Sequence, residues 1–334
     1  MAIDILNIHP NVVSKDIRSY SFLIYGGPKV GKTTFAASMP KSLILAFEIG
    51  YKAIPGAMAL PINSWAEFLQ VLNQLKSEKR KEETAKAKGE TYELPYDTII
   101  IDIVDIAWSL CEKYILAQQG VEKVADIPYG AGYTLVSNEF DTKMRSIIQM
   151  GYGVVFISHE QALASEDDKD VKYATCTLPK RPKNLVTRMV DVYGYATVDQ
   201  SADGLVHTLH MRQTPEWEAG ARFKYVPESV PLDYKAVTIA IDNAIDMDNK
   251  EHGGTLATED FIVYDKPTEA RSFTEVKSSI DNLIKQIMST PENAPKISAI
   301  VEERLGRDKK LSQATEENLE QIIMIEYDLK ALLA

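Results

Sequence analysis

This sequence predicts an α/β fold built on a mainly parallel central sheet, with a small helical appendage at the C-terminal end, and three observations carry that expectation. Ser21 to Tyr25 is an apolar run that leads directly into Gly26-Gly27-Pro28-Lys29-Val30-Gly31-Lys32-Thr33, which fits the P-loop pattern G-x-x-x-x-G-K-S/T without a mismatch. Ser42 to Phe47, Tyr96 to Asp102 and Gly153 to Ser158 are further near-continuous apolar runs, as strands buried on both faces between crossover helices require. Beyond residue 272 the apolar residues recur only at helical spacing.

The first motif sets the chemistry. Its glycines let consecutive backbone N–H groups turn inward around phosphate oxygens, and the helix expected from about Lys32 to Met39 adds its positive end to the cradle. Gly26, Gly27, Pro28, Lys29, Val30, Gly31, Lys32, Thr33 and Thr34 are therefore the expected nucleotide contacts. Lys32 is expected on the β- and γ-phosphates of ATP and the Thr33 hydroxyl on Mg²⁺.

Around this motif the chain reads in order. Ile3 to Ile8 alternates and predicts an edge strand of its own domain. Ser64-Trp65-Ala66-Glu67 is a capping box for a helix whose Trp65, Phe68, Leu69, Leu72 and Leu75 share one face. Lys76 to Glu90 interleaves acids and bases, which predicts a solvated helix extension or a mobile loop. A helix is expected at Ile106 to Gln118, a turn-rich loop at Gly120 to Tyr133, and then a helix with Val136, Phe140, Met144 and Ile147 inward. Gln161 to Val186 shows no sustained period and reads as a long loop. Tyr193 to Val198, Leu205 to Met211 and Arg222 to Tyr225 read as antiparallel strands, and Asp233 to Ile245 as the last helix of a core spanning 1–245. An acidic linker is expected at 246–271, then a three-helix module at 272–334 opened by the capping box Ser272-Phe273-Thr274-Glu275.

Composition narrows the classes. The 334 residues carry a net charge of −11, with pI near 5.1, which argues against general attraction to a polyanion, so nucleic acid binding would need a local basic loop. No apolar run approaches the roughly 20 residues of a membrane span and no export signal opens the chain, so no membrane is expected as a partner and the expected place is the cytoplasm. Two scattered cysteines, Cys111 and Cys176, exclude a disulfide framework and a zinc site.

Three strand ends carry candidate chemistry. Asp102 closes an apolar strand 70 residues after Lys32, where a P-loop protein places the acid that orders Mg²⁺. The next residue is Ile103, so no neighbouring acid is available to orient a water. Glu48 is the candidate for that role, since a parallel sheet brings the end of its strand to the edge holding Lys32 and Asp102; Asp105 is the reserve. His159 ends the next strand, directly before the long loop, where a polar side chain can report on the γ-phosphate. Within that loop Tyr173, Lys180, Arg181 and Lys183 combine cations with an aromatic, the minimal kit for single-stranded nucleic acid, although Glu166, Asp167, Asp168 and Asp170 dilute it. Tyr129 and Tyr133 are candidates for the same channel. Arg222 is a candidate cation for a neighbouring subunit's nucleotide.

GGPKVGKT, Glu48 after the second strand, YDTIIIDIVD, IPYGAGY, VVFISHE and EAGARF together resemble phage-encoded RecA-like P-loop ATPases, the short single-strand-annealing recombinases that keep only the RecA core. The resemblance covers about residues 1 to 245. It implies Glu48 as the catalytic glutamate, since AAA+ ATPases usually place theirs beside the Walker B aspartate. It also implies His159 as the γ-phosphate coupler, with Gly120 to Tyr133 and Gln161 to Val186 as the two DNA loops. The function it implies is a DNA-dependent ATPase that acts on single-stranded DNA as a homo-oligomer, ring or filament; the helical tail lies outside the resemblance and is expected to dock on a partner, DNA or a single-strand-binding protein. The alternatives are a RecA-fold helicase or helicase loader, and a nucleotide-gated binding module that does not turn over.

Overall fold

A computed structural model describes residues 8–164, 172–201, 204–264, 272–289 and 291–333. The strand expected at Ile3 to Ile8 lies outside these residues except for Ile8 itself, and the chain's first described strand is the two-residue β1 (Val13–Ser14). The first apolar run forms β2 (Ser21–Gly26), buried at all six positions, and the glycine-rich turn hands it to α1 (Lys32–Ala37). Next come β3 (Ser42–Ala46), the short β4 (Ala59–Pro61) and the long α2 (Trp65–Ala87), whose N-cap Ser64 accepts from the Glu67 N–H. The charged stretch after Leu75 is thus a helix extension.

β5 (Thr98–Asp102), α3 (Val104–Gln119), α4 (Gly132–Gln149) and β6 (Gly153–Ala164) complete the first crossovers. β7 (Lys172–Cys176), α5 (Lys180–Met189), β8 (Val192–Ser201) and β9 (Gly204–His210) follow. β10 (Gly220–Ala221), β11 (Ser229–Pro231), α6 (Tyr234–Glu251) and β12 (Ala257–Thr258) close the first unit.

The main sheet has the order β11-β9-β8-β2-β6-β5-β3-β4, parallel from β8 to β4 and antiparallel where β9 and β11 extend it. In register, Gly26 lies beside His159 on one side and Ala196 on the other, and Asp102 beside Ala46 and Ile157. All these strands leave the sheet at the same edge, so residues far apart in sequence arrive at one rim.

Strand alternation splits the interior in two. Leu23, Tyr25, Leu45, Ile101 and Phe156 face a core filled by α2, α3 and α4, with Trp65, Phe68, Trp108 and Phe140. Phe22, Ile24, Ile44, Ile100 and Ile157 face the opposite core, closed by α1 and by Val237, Ile241 and Ile245 of α6. Burying such side chains contributes about 1.5–3 kcal/mol each, which holds the strand ends rigid enough to serve a site.

Three stretches differ from expectation. The loop expected at Gln161 to Val186 lies outside the described residues at 165–171, and on either side of them it is structured: β6 runs on to Ala164 and pairs antiparallel with β7, and α5 follows. Pro182, Val186 and Met189 form the buried stripe of that helix, too few apolar positions to stand out among the charged residues. The strand expected at Arg222 to Tyr225 does not form; the short strands β10 and β11 lie on either side of it. The core does not end at residue 245. α6 continues to Glu251, and β12 pairs in parallel with β1, so the first compact unit runs to Lys266 and the second begins at Pro267.

The second unit contains α7 (Phe273–Ile287), α8 (Ala294–Leu305) and α9 (Leu319–Ala331). Ser272 and Glu275 complete the capping box of α7. Val276, Ile280, Ile287, Ile322, Ile325 and Leu329 form its own small core.

Candidate nucleotide site

The rim begins where β2 ends. A Cβ at Gly26 would stand 2.2 Å from the Ala196 carbonyl oxygen, so only glycine lets the chain leave between β2 and β8. Gly31, with φ at +102°, turns the backbone into α1, and no side chain caps that helix. Its first N–H groups are left for phosphate oxygens.

Lys32 is 6 % exposed, and its Nζ donates to the carbonyls of Gly26 (2.7 Å) and Gly27 (2.8 Å). Burial pushes the ammonium pKa down, while Asp102, Glu160 and Glu48 hold it up. Thr33 Oγ1 donates to Asp102 Oδ2 at 3.0 Å. Asp102 is 3 % exposed; burial pushes its carboxyl up, against the Thr33 hydrogen bond, which pulls it down. A hydroxyl and a buried carboxylate in contact are the donor set that holds Mg²⁺ beside phosphates, and here they fit. Gly50 keeps the place open, because a Cβ there would meet Asp102 Oδ2 at 3.6 Å and Thr33 Oγ1 at 3.8 Å.

Glu48 follows β3 and is anchored by its own N–H on the Asp102 carbonyl (3.1 Å). Its Oε2 lies 3.2 Å from His159 Nε2, with both side chains half-exposed. The structure thus brings Lys32, Thr33, Glu48, Asp102 and His159 to one rim. Asp105, the reserve acid, is engaged elsewhere: Thr177 Oγ1 donates to its Oδ1 at 2.6 Å, and its buried Oδ2 has no partner among the described residues.

Two rim contacts escaped sequence reasoning. Glu160 Oε2 would stand 3.7 Å from a Cβ at Gly27, and its carboxylate helps hold Tyr195, whose hydroxyl pKa is pushed up to about 12 chiefly by burial. Strand alternation was the available signal, since the residue after His159 must face the other way. His207 Nδ1 lies 2.8 Å from the Val30 carbonyl and braces the P-loop from β9, a contact with no sequence signal.

The residues proposed for nucleic acid divide. Lys180 and Arg181 are exposed on the first turn of α5, and the Arg181 guanidinium sits 4.7 Å from the centre of the Tyr133 ring, so the two expected loops meet there. Tyr129 is wholly exposed, and Tyr173 lies on β7 opposite Leu163. Lys183 departs from expectation. Its ammonium pairs with Glu218 and donates to Thr175 Oγ1 (2.7 Å), and its side chain is 19 % exposed, so it holds α5 to the sheet and is spent there. Arg222 is also paired within its own chain. It pairs with Asp191 Oδ1 (2.9 Å) and donates to the Arg188 carbonyl (2.7 Å) beside the start of β8, at the opposite end of the parallel strands from the P-loop. A cation there is remote from its own chain's phosphates.

Fold and rim together are those of a P-loop ATPase. Residues 18–223, more than half of the chain, match the model of the AAA domain family AAA_24, and the chain belongs to that family. It is 29 % identical over 348 aligned positions to the SPbeta prophage-derived uncharacterized protein YorG of Bacillus subtilis (strain 168), covering 100 % of both chains. Among solved structures it matches a KaiC-like protein, PH0186, of Pyrococcus horikoshii OT3 with TM-score 0.31 and 12 % identity, over 64 % of this chain and 85 % of that one. It also matches the flagellar accessory protein FlaH of Methanocaldococcus jannaschii with TM-score 0.28 and 9 % identity, over 58 % and 77 %. Among the described residues no helix is long and apolar enough to cross a membrane.

Proposed function

We propose that this chain is an ATP-hydrolysing protein of a phage recombination system, in which ATP held between subunits of a ring or filament favours binding and pairing of single-stranded DNA, and hydrolysis releases it. The observation that carries the reading is the Glu48–His159 pair. It joins the candidate water-orienting acid to the residue from which the β6–β7 hairpin leaves the rim.

In this reading the P-loop amides and Lys32 hold the phosphates, and Thr33 with Asp102 holds Mg²⁺, which when bound supplies positive charge beside the transferring phosphoryl group. Lys32 exchanges its two carbonyl partners for phosphate oxygens. Glu48 orients the attacking water once His159 has left it, and His159 reports that exchange to the hairpin and, through Thr177, to the start of α5. Lys180 and Arg181 follow a DNA backbone while Tyr129, Tyr133 and Tyr173 offer faces for bases. The three-helix unit serves as the dock for a single-strand-binding protein. Arg222 has no part in this reading.

ATP turnover with and without single-stranded DNA tests it. Stimulation by DNA, lost in Glu48→Gln while ATP still binds, is the expected result. Turnover indifferent to DNA removes the polynucleotide from the reading, and ATP binding without turnover leaves a nucleotide-gated binding module.

A further inference from the structure

A cavity of about 650 Å³ opens at the other end of the sheet, walled by Ser21 at the start of β2, the end of α4, Arg188 and Asp191 before β8, Arg222 to Lys224, and the strap 256–264. It is not the P-loop site. Ser21 and Gly26 are the two ends of β2, which puts the openings about 17 Å apart at roughly 3.3 Å per residue. Its volume is that of a small-molecule pocket.

The charge of its walls runs against that of the chain. A protein of net charge −11 gathers Arg18, Arg145, Arg188, Arg222 and Lys224 here, against Asp191 and Asp248. Three of these cations are committed: Arg18 to Asp16 and Asp97, Arg145 to Asp141, and Lys224 to Glu251. Two retain donors. The Arg188 guanidinium is exposed and has no partner among the described residues. Arg222 uses two of its five N–H donors, one on Asp191 and one on the Arg188 carbonyl, which fix its plane while 61 % of the side chain stays exposed. The unpartnered Arg188 guanidinium, with the N–H groups that Arg222 has left on the same cavity wall, offers donors to one phosphate. Beside them stand aromatic rings: Tyr20 lies 4.8 Å edge-on from Phe223 and 6.1 Å from the roughly parallel Tyr264, whose face is partly exposed.

We propose that this cavity is a second binding site, for a nucleoside monophosphate unit, with the phosphate on Arg188 and Arg222 and the base against the Tyr264 and Phe223 walls. The same unit occurs as a free nucleotide and as a terminal residue of a DNA strand. The site is independent of ATP turnover at the P-loop.

Calorimetric titration of Lys32→Ala, in which the P-loop is disabled, tests it with AMP in one arm and a 5′-phosphorylated thymidine pentanucleotide in the other. The expected result is one equivalent of probe bound per chain, weakened at least tenfold by adding Arg188→Glu, with adenosine at least tenfold weaker than AMP. Binding of AMP identifies the free nucleotide as the source; binding of the pentanucleotide alone identifies the strand end. Because the Arg188 guanidinium gives up no internal contact, Arg188→Glu is expected to keep the parent's thermal midpoint and, in the otherwise unchanged chain, its ATP turnover. Lys32→Ala that binds neither probe, or binding indifferent to Arg188→Glu, overturns the proposal.

Discussion

The two ends of the central sheet handle buried charge in opposite ways. At the P-loop end Lys32 rests on two backbone carbonyls and Asp102 on one hydroxyl, neutral partners that leave each charge to be matched by something else. At the opposite end Asp191 is answered by Arg222 and by the N–H and hydroxyl of Ser21, and Arg18 by Asp16 and Asp97. Charges paired within the chain brace the fold. Charges held only by neutral groups are ready to exchange those partners for a ligand, because the exchange leaves no opposite charge of the chain buried and unpaired.

The largest effect expected from this contrast is at Lys32. Lys32→Ala should lower ATP turnover by at least about 100-fold, the scale for removing a preorganised group that meets developing charge, with the melting temperature little changed. A large loss of stability with turnover retained would place Lys32 among the bracing charges. Glu48→Gln should lower turnover by about 100-fold with ATP affinity nearly unchanged, as removal of a general base does. Equilibrium binding of a fluorescent ATP analogue beside steady-state turnover separates the two roles, and unchanged turnover would free Glu48 from the chemistry.

At the bracing end the outcome should invert. Asp191→Ala leaves Arg222 and the Ser21 N–H without their acceptor, and should cost about 1–2 kcal/mol in denaturant unfolding while the rate per folded molecule holds. Burial holds the carboxyls of both Asp102 and Asp191 above their ordinary pKa, and the pH dependence is read at Asp102, which has no cation paired to it among the described residues. Burial raises its folded-state pKa, so the folded chain keeps a proton there over a pH window in which the unfolded chain has lost it, and stability falls as pH climbs through that window. Asp102→Asn has no charge to bury and should be more stable than the parent above the window, by about 1.4 kcal/mol for each pH unit that the window spans, while losing Mg²⁺-dependent binding. Denaturation midpoints from about pH 4 to pH 8 read this directly, and a difference constant with pH would show that the ligand-free site does not strain against Asp102. The smallest effect concerns the patch on α5. Lys180→Ala with Arg181→Ala should flatten the salt dependence of single-stranded DNA binding by a slope of about 1.4, and an unmoved slope would take α5 off the DNA path.

Much of the site was legible because each of its parts is a local pattern joined by one topological rule. GGPKVGKT announces its own turn, and Glu48, Asp102 and His159 each end an apolar run. Parallel strands with crossover helices deliver such ends to one edge. The segment after His159 was not legible, since β7 exists only by pairing with β6 and α5 buries just three side chains. Tail and core behaved differently again. The capping box at Ser272 and the period of α7 are local, whereas the extension of the core past residue 245 depends on β12 finding β1, more than 240 residues away.

Sequence alone determined the sheet's main strands, the phosphate-binding turn, the order of the acids and the helical tail, since backbone sterics and the burial of apolar runs act within a few residues. Tertiary structure decided which charges are spent and which stay free. Lys183 is claimed by Glu218 and Asp105 by Thr177, Arg222 is oriented by Asp191 with donors left over, and Glu160 and His207 join the rim unannounced. The reason is physical: an ion pair or a cavity wall is set by a few ångströms between side chains from remote segments, and no periodicity along the chain encodes that distance.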